Sequence, residues 1–424
     1  MAQDEAPESG TDRGKAAAPA SPRERNASVE ALRVIAILAI AVFHTFQDPF
    51  YSLVESVVQQ GAAGLAQTAG LAVGDGTVLV PGVPALWILG CISLLGAFGN
   101  HVFFAISGCF LIPGAAERST RSGYWSDELR RFARRAKPII ATVAFYAVIA
   151  LALSATVLPM PGISLARVDW LVGGLQFIWV YLVLVAAAPV MGWVWRRCPG
   201  RLAVVAVLAV VVFALNAYIA FVSPGEVGRG LLEWRKLMSA VSYLVSFLAG
   251  GALGELRRSG SSLFSGRLPH LALAACIALA VAVVGVAACA GDARIVYALS
   301  YKSTSLLSFA LALSSLGFAL SVPLSRPRPS DGLVRRAARG TLGFYTVQAM
   351  ASAAWHPWAE AAMAFSYGIG EGFALGMHQT QAVAAATGLA AMVGMGAVWS
   401  LLFLAALLLF DLAVRAPLLR RLGC

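Results

Sequence analysis

The chain has 424 residues, of which 59% are hydrophobic and 12% charged, with a formal net charge of +11. A soluble chain carries about 25% charged residues, so a soluble multidomain enzyme and a disordered scaffold are both excluded. Continuous apolar runs such as 202–222 match bilayer-crossing helices and not the alternating strands of an outer-membrane barrel.

Residues 1–27 are rich in Ala, Pro, Ser and charge. They lack the order of a signal peptide and read as a disordered cytoplasmic tail. Ten membrane helices are predicted, at 29–47, 85–112, 139–158, 170–193, 202–222, 239–256, 271–290, 303–322, 341–355 and 384–411. Residues 28–411 then form an all-α polytopic membrane domain, and 412–424 a short basic cytoplasmic tail. Twenty-five of the 32 Lys and Arg residues fall in the two termini and in 113–138, 194–201, 257–270 and 323–340. This positive-inside bias puts both termini in the cytoplasm and makes the chain a multi-pass protein of the plasma (inner) membrane. The lipid bilayer is thus one partner, and the basic balance needs no nucleic acid to explain it.

The segments 48–84 and 356–383 fall on the outer side. The first has no Lys or Arg and reads as a re-entrant or interfacial piece. Both are long enough to shape an acceptor site. Six scattered cysteines, at 91, 109, 198, 276, 289 and 424, form no CxxC and read as small core residues with no metal site.

Chemistry concentrates in the first helix, "SVEALRVIAILAIAVFHTF", which carries Glu30, Arg33 and His44. Eleven residues separate Arg33 from His44, about 20° from perfect alignment on a helix and about 16 Å along its axis. They share a face. Glu30 sits one turn before Arg33 and is placed to pair with it. Each alone has a plainer reading, Arg33 as an interfacial anchor and His44 as a core histidine. Together they point to a lined cavity, with a neutral imidazole as general base. Arg33 would hold an anionic or thioester-bearing donor.

Three blocks in order resemble the acyltransferase-3 family of integral membrane O-acyltransferases. The first is "VEALRVIAILAIAVFH", where Glu30 stands in place of the family's usual Asp. The second is "FFAISGCFLI" (103–112), and the third "LRRFARRAKP" (129–138), which aligns Arg131, Arg135 and Pro138. The resemblance covers about residues 28–410. It implies an O-acetyltransferase-like enzyme with no permanently bound cofactor. Acetyl-CoA or another acyl-CoA is then the donor substrate, and a hydroxyl of a glycan or lipid-linked sugar the acceptor. His44 and Arg33 are the expected catalytic residues. Arg33, Ser107, Arg131 and Arg135 would hold the donor, the arginines through the phosphates of coenzyme A. Glu30, His101 and Gln348 are the expected acceptor contacts. Two positions depart from the family pattern: His101 replaces an acidic residue before "FF", and Gln348 replaces a late histidine.

Each of these has a structural alternative. Ser107 also suits a bond to its own helix backbone, and Gly108 suits close helix packing. His101 also suits the interface, and the basic segment 117–138 suits membrane anchoring. His356 and His378 read as surface or interfacial residues of the outer region. Asp411 reads as solvated or paired with Arg415. A transporter or flippase for a polar or lipid-linked molecule, with Arg33 and His44 along the route, is the competing function.

Overall fold

The computed structural model describes residues 26–60, 68–160, 162–166, 169–222, 229–300, 304–323, 329–421 and 423. Most of the predicted tail 1–27 therefore lies outside the described residues. Eleven long helices dominate: α1 (Ala27–Gln60), α2 (Gly82–Arg118), α3 (Tyr124–Thr156), α4 (Gln176–Arg197), α5 (Arg201–Ala217), α6 (Arg229–Arg258), α7 (Leu268–Cys289), α8 (Leu306–Ser321), α9 (Pro329–Met350), α10 (Ser352–Gly376) and α11 (Gln381–Phe410). Among the described residues, eight helices are long and apolar enough to cross a membrane, and α8 is apolar but shorter. The chain is an all-α polytopic membrane protein.

Two regions differ from the sequence expectation. The segment 48–84 is not a re-entrant loop. Helix α1 runs on to Gln60, and an antiparallel hairpin follows, β1 (Thr68–Val73) and β2 (Gly76–Pro81). Residues 61–67 lie outside the described residues. Gly74 takes the left-handed conformation (φ 62°) that the tight turn needs. Ala69, Leu71 and Val73 point into the core on the two-residue period of a strand. Residues 356–383 are not an open connection either. They complete α10, turn at 377–380 and begin α11. The sequence reading leaves the whole of 356–383, with its glycines, outside the predicted helices. In the fold Gly370 instead faces Gly388 across the antiparallel α10–α11 pair.

Helix α2 is the central element, packed against α1, α4, α6, α7 and α8. Its contact with α6 depends on missing side chains. A Cβ at Gly108 would fall on the main-chain carbonyl of Phe247, one at Gly250 on Ala105, and one at Gly254 on Cys109. The backbones touch because neither helix carries a side chain at the crossing. This meets the packing reading of Gly108.

A buried polar network joins α3, α9 and α11. Asp411 opens a π-helical turn, Asp411–Arg415, which continues α11 into Ala416–Arg421. Its carboxylate accepts two bonds from the Arg415 guanidinium and one from Tyr146 Oη at 3.0 Å. Arg415 Nη1 donates to Thr142 Oγ1 at 2.7 Å. Gly343 of α9 lies directly against Asp411 and Tyr146. Of the two sequence readings of Asp411, pairing with Arg415 is the one the fold adopts.

Candidate active site

Helix α1 is unbroken from Ala27 to Gln60, so Arg33 and His44 ride on one rod with the spacing the sequence implies. Glu30 is buried, and both its carboxylate oxygens lie 3.0 Å from Arg33 Nη1. The pair neutralises a guanidinium beside an apolar helix surface and fixes its direction.

Arg33 faces a cavity of about 220 Å³. Ser107 and Phe103 of α2, Phe177 and Tyr181 of α4, and Thr341 and Tyr345 of α9 complete much of its wall. Ser107 Oγ donates to its own helix at Phe103 O (2.9 Å) and also reaches Tyr181 Oη (3.4 Å). The backbone reading of Ser107 is thus met, and the same residue also lines the cavity. The tyrosines carry no sequence signal beyond aromatic residues in apolar helices, which are ordinary core.

The basic segment lies at the Arg33 end. Glu128 is buried. It accepts a 2.6 Å bond from Arg118 Nε and pairs with Arg131 Nε at 3.4 Å. Arg135, half-buried, has Glu128, Arg118, Tyr181 and Arg131 as its electrostatic neighbours. One carboxylate thus gathers three guanidiniums beside the cavity, leaving net positive charge. Arg118 was not singled out in the sequence, because its partner Glu128 lies ten residues further on, across a turn.

His101 does not join this cavity. It is fully buried between α2, α5, α6 and α8, with Nδ1 2.6 Å from Ser246 Oγ and its ring among Phe213, Tyr243 and Phe309. Six helical residues from Ser107 turn it about 240°, which carries it to the far side of α2. The expected acceptor contact is here a core histidine. Gln348 is also buried, and its Oε1 has no hydrogen-bond partner among the described residues. It lies one turn beyond Tyr345 on the same side of α9, so an orphan acceptor continues the polar stripe.

The His44 ring is half-buried and packs edge-on against Phe43 at 4.8 Å. It is not part of the wall of the Arg33 cavity. The main chain of His44 makes the contact that the sequence did not reveal: its carbonyl accepts a 2.7 Å bond from His356 Nε2 on α10. Pro49 sits in the next turn of α1. It has no N–H to donate to the carbonyl of Thr45, the residue after His44. His356 Nδ1 faces Asp48 Oδ2 at 3.2 Å and Glu360 Oε1 at 3.7 Å. Burial works against the imidazolium. The Asp48 bond, the His44 carbonyl and the two carboxylates outweigh it and hold the His356 pKa above its ordinary value. Helix α10 is not among the candidate spans, and along α1 the cluster lies on the far side of His44 from Arg33.

A larger cavity of about 670 Å³ opens on the opposite face of α1, between Leu32, Leu95, Ile277 and Phe318. Its wall is nearly all apolar, and Cys91 is the one titratable side chain among the described residues that line it.

No curated protein and no solved structure matches the chain. Residues 26–415 match the acyltransferase-3 family, described as an acyltransferase domain. That match spans nearly the whole polypeptide and includes all three blocks around Arg33, Ser107 and Arg131, so the chain belongs to the acyltransferase-3 family of membrane acyltransferases.

Proposed function

We propose that this membrane acyltransferase moves an acetyl or other short acyl group from acyl-CoA to a hydroxyl of a glycan or lipid-linked sugar. The observation that carries the reading is the cavity where Arg33, Ser107, Tyr181 and Tyr345 converge beside Arg118, Arg131 and Arg135. Coenzyme A brings phosphates and a long apolar-polar arm. Guanidiniums match the former, and a narrow aromatic cavity matches the latter. The donor enters from the cytoplasmic side of the plasma membrane, where both termini lie, and the acceptor from the outer side.

In the reaction, the acceptor hydroxyl oxygen attacks the thioester carbonyl carbon. The His44 imidazole takes the hydroxyl proton as the new ester C–O bond forms. The C–S bond then breaks, and the coenzyme A thiolate leaves with the proton that His44 returns. Arg33, held by Glu30, offsets negative charge near the donor. Gln348 Oε1 offers an acceptor for a substrate hydroxyl donor.

The test is free thiol release from acetyl-CoA by the purified protein in detergent, with and without extracted glycans or lipid-linked sugars. Acceptor-dependent thiol release, with the acyl group recovered on the acceptor, is the expected result. Solute uptake into vesicles with no thiol release would overturn the reading in favour of a transporter.

A further inference from the structure

On the far side of His44 from Arg33 along α1, one imidazole and two carboxylates from two helices meet outside the machinery just described. Asp48 comes from α1, and His356 and Glu360 from one face of α10 at i, i+4. Their ligand-type atoms all lie within 4.8 Å of one another.

The orientation of the imidazole decides what this cluster needs. Nε2 contacts a main-chain carbonyl, that of His44, so Nε2 must carry a hydrogen. Nδ1 then points at two carboxylate oxygens, at 3.2 and 3.7 Å. A bare nitrogen lone pair facing two carboxylates is repulsive. Something positive must sit at Nδ1, either a proton or a metal ion.

Three observations favour a metal. The spacings fit one: ligands at 2.0–2.2 Å from a tetrahedral ion lie about 3.4 Å apart, between the two observed distances. The outer shell fits as well. A ligating histidine typically donates its other N–H to a carbonyl, and ligating carboxylates are themselves hydrogen-bonded. Here His356 Nε2 donates to His44 O, and the backbone of Gly74, in the β1–β2 turn, donates to Glu360. The charge inventory points the same way. No lysine or arginine occurs between Arg33 and Arg118, or between Arg339 and Arg415. The stretches of chain that carry the three ligands and the hairpin thus supply no permanent cation, and Arg294, on the helix Ala293–Ser300 that packs on Phe50 through Tyr297, is not among the charged groups acting on Glu360. The charged groups acting on Glu360 are His356, Asp48 and Asp75, two of them acidic.

We propose that Asp48, His356 and Glu360 bind a divalent transition metal of the Zn²⁺ or Mn²⁺ class, with the remaining position open to solvent beside the exposed Asp48. The ion joins α1 to α10. Through the other nitrogen of His356, it holds the turn that carries His44. A His and two carboxylates suit a borderline ion better than Ca²⁺ or Mg²⁺, which prefer all-oxygen shells.

The test does not use acyl transfer. Tag-free full-length protein in detergent is stripped with EDTA, dialysed and titrated with Zn²⁺, and bound metal is counted by plasma emission. One tight equivalent per chain is expected. Asp48→Asn and Glu360→Gln should each weaken binding by about 100-fold or more, judged from the 10–100-fold that outer-shell losses cost. His378→Ala should leave it unchanged. Co²⁺ loading should give a visible ligand-field band that His356→Gln removes. Size-exclusion profiles confirm that each variant is folded, and the wild-type count needs no variant. Absence of a stoichiometric equivalent in the wild type, or equal uptake by Asp48→Asn, would overturn the site and leave an imidazolium paired with two carboxylates.

Discussion

The ring of His356 holds the main chain of His44, Nε2 to O, at 2.7 Å. The side chain expected to act as base is thus positioned through its backbone by a second histidine, 312 residues later in the chain. Removing that clamp should loosen the turn of α1 next to Pro49 without touching the donor cavity. His356→Ala is expected to lower kcat about tenfold, the equivalent of about 1.4 kcal/mol, with the donor KM unchanged. Steady-state kinetics of thiol release separate the two parameters. A rise in donor KM alone would contradict the assignment.

The arginine cluster makes a separate prediction about the donor. Arg131→Ala combined with Arg135→Ala should raise the donor KM about 10–100-fold, and the difference should shrink as salt rises, because exposed charge pairs are screened within about 8–10 Å. Equal donor affinity across salt for wild type and variant would assign the segment to membrane anchoring only.

Crossing geometry predicts a stability effect. Gly108→Ala places a methyl group on the Phe247 carbonyl, where backbone on both sides leaves little room to yield. Overpacking of this kind typically costs about 1–3 kcal/mol. Thermal unfolding in detergent should show a clearly lowered midpoint, whereas Gly317→Ala, which meets no neighbouring atom, should not.

The Asp411 network predicts an asymmetry. Asp411→Asn leaves the buried Arg415 guanidinium without its bidentate partner, a loss of about 3–5 kcal/mol for breaking such a pair. Replacing both partners, as in Asp411→Leu with Arg415→Met, should recover much of the stability. A double variant worse than Asp411→Asn would show that the network does more than offset its own charges.

Much of this site was legible in the sequence for a physical reason. Glu30, Arg33 and His44 are expensive in an apolar helix, so their presence and spacing carried information. Arg131 and Arg135 stood out in the same way as an i, i+4 pair. The missed residues lack such contrast. Tyr181 and Tyr345 resemble any core aromatic until the helices are assembled. Asp48 and Glu360 fall in 48–84 and 356–383, outside the predicted helices, where an acidic residue is ordinary. His101 misled for the opposite reason. A histidine beside "FF" looked functional, while its direction around α2 depended on Ser246 and Phe309, which lie more than a hundred residues away.

The most direct measurement of the central claim is single-turnover coenzyme A release by wild type, Arg33→Ala and His44→Ala, each purified and shown monodisperse. The account predicts that wild type releases thiol in step with acyl transfer. It predicts that His44→Ala binds donor normally but loses turnover by at least about 100-fold, the scale of a lost general base. Arg33→Ala should lose donor binding as well. Full turnover in His44→Ala would contradict the account.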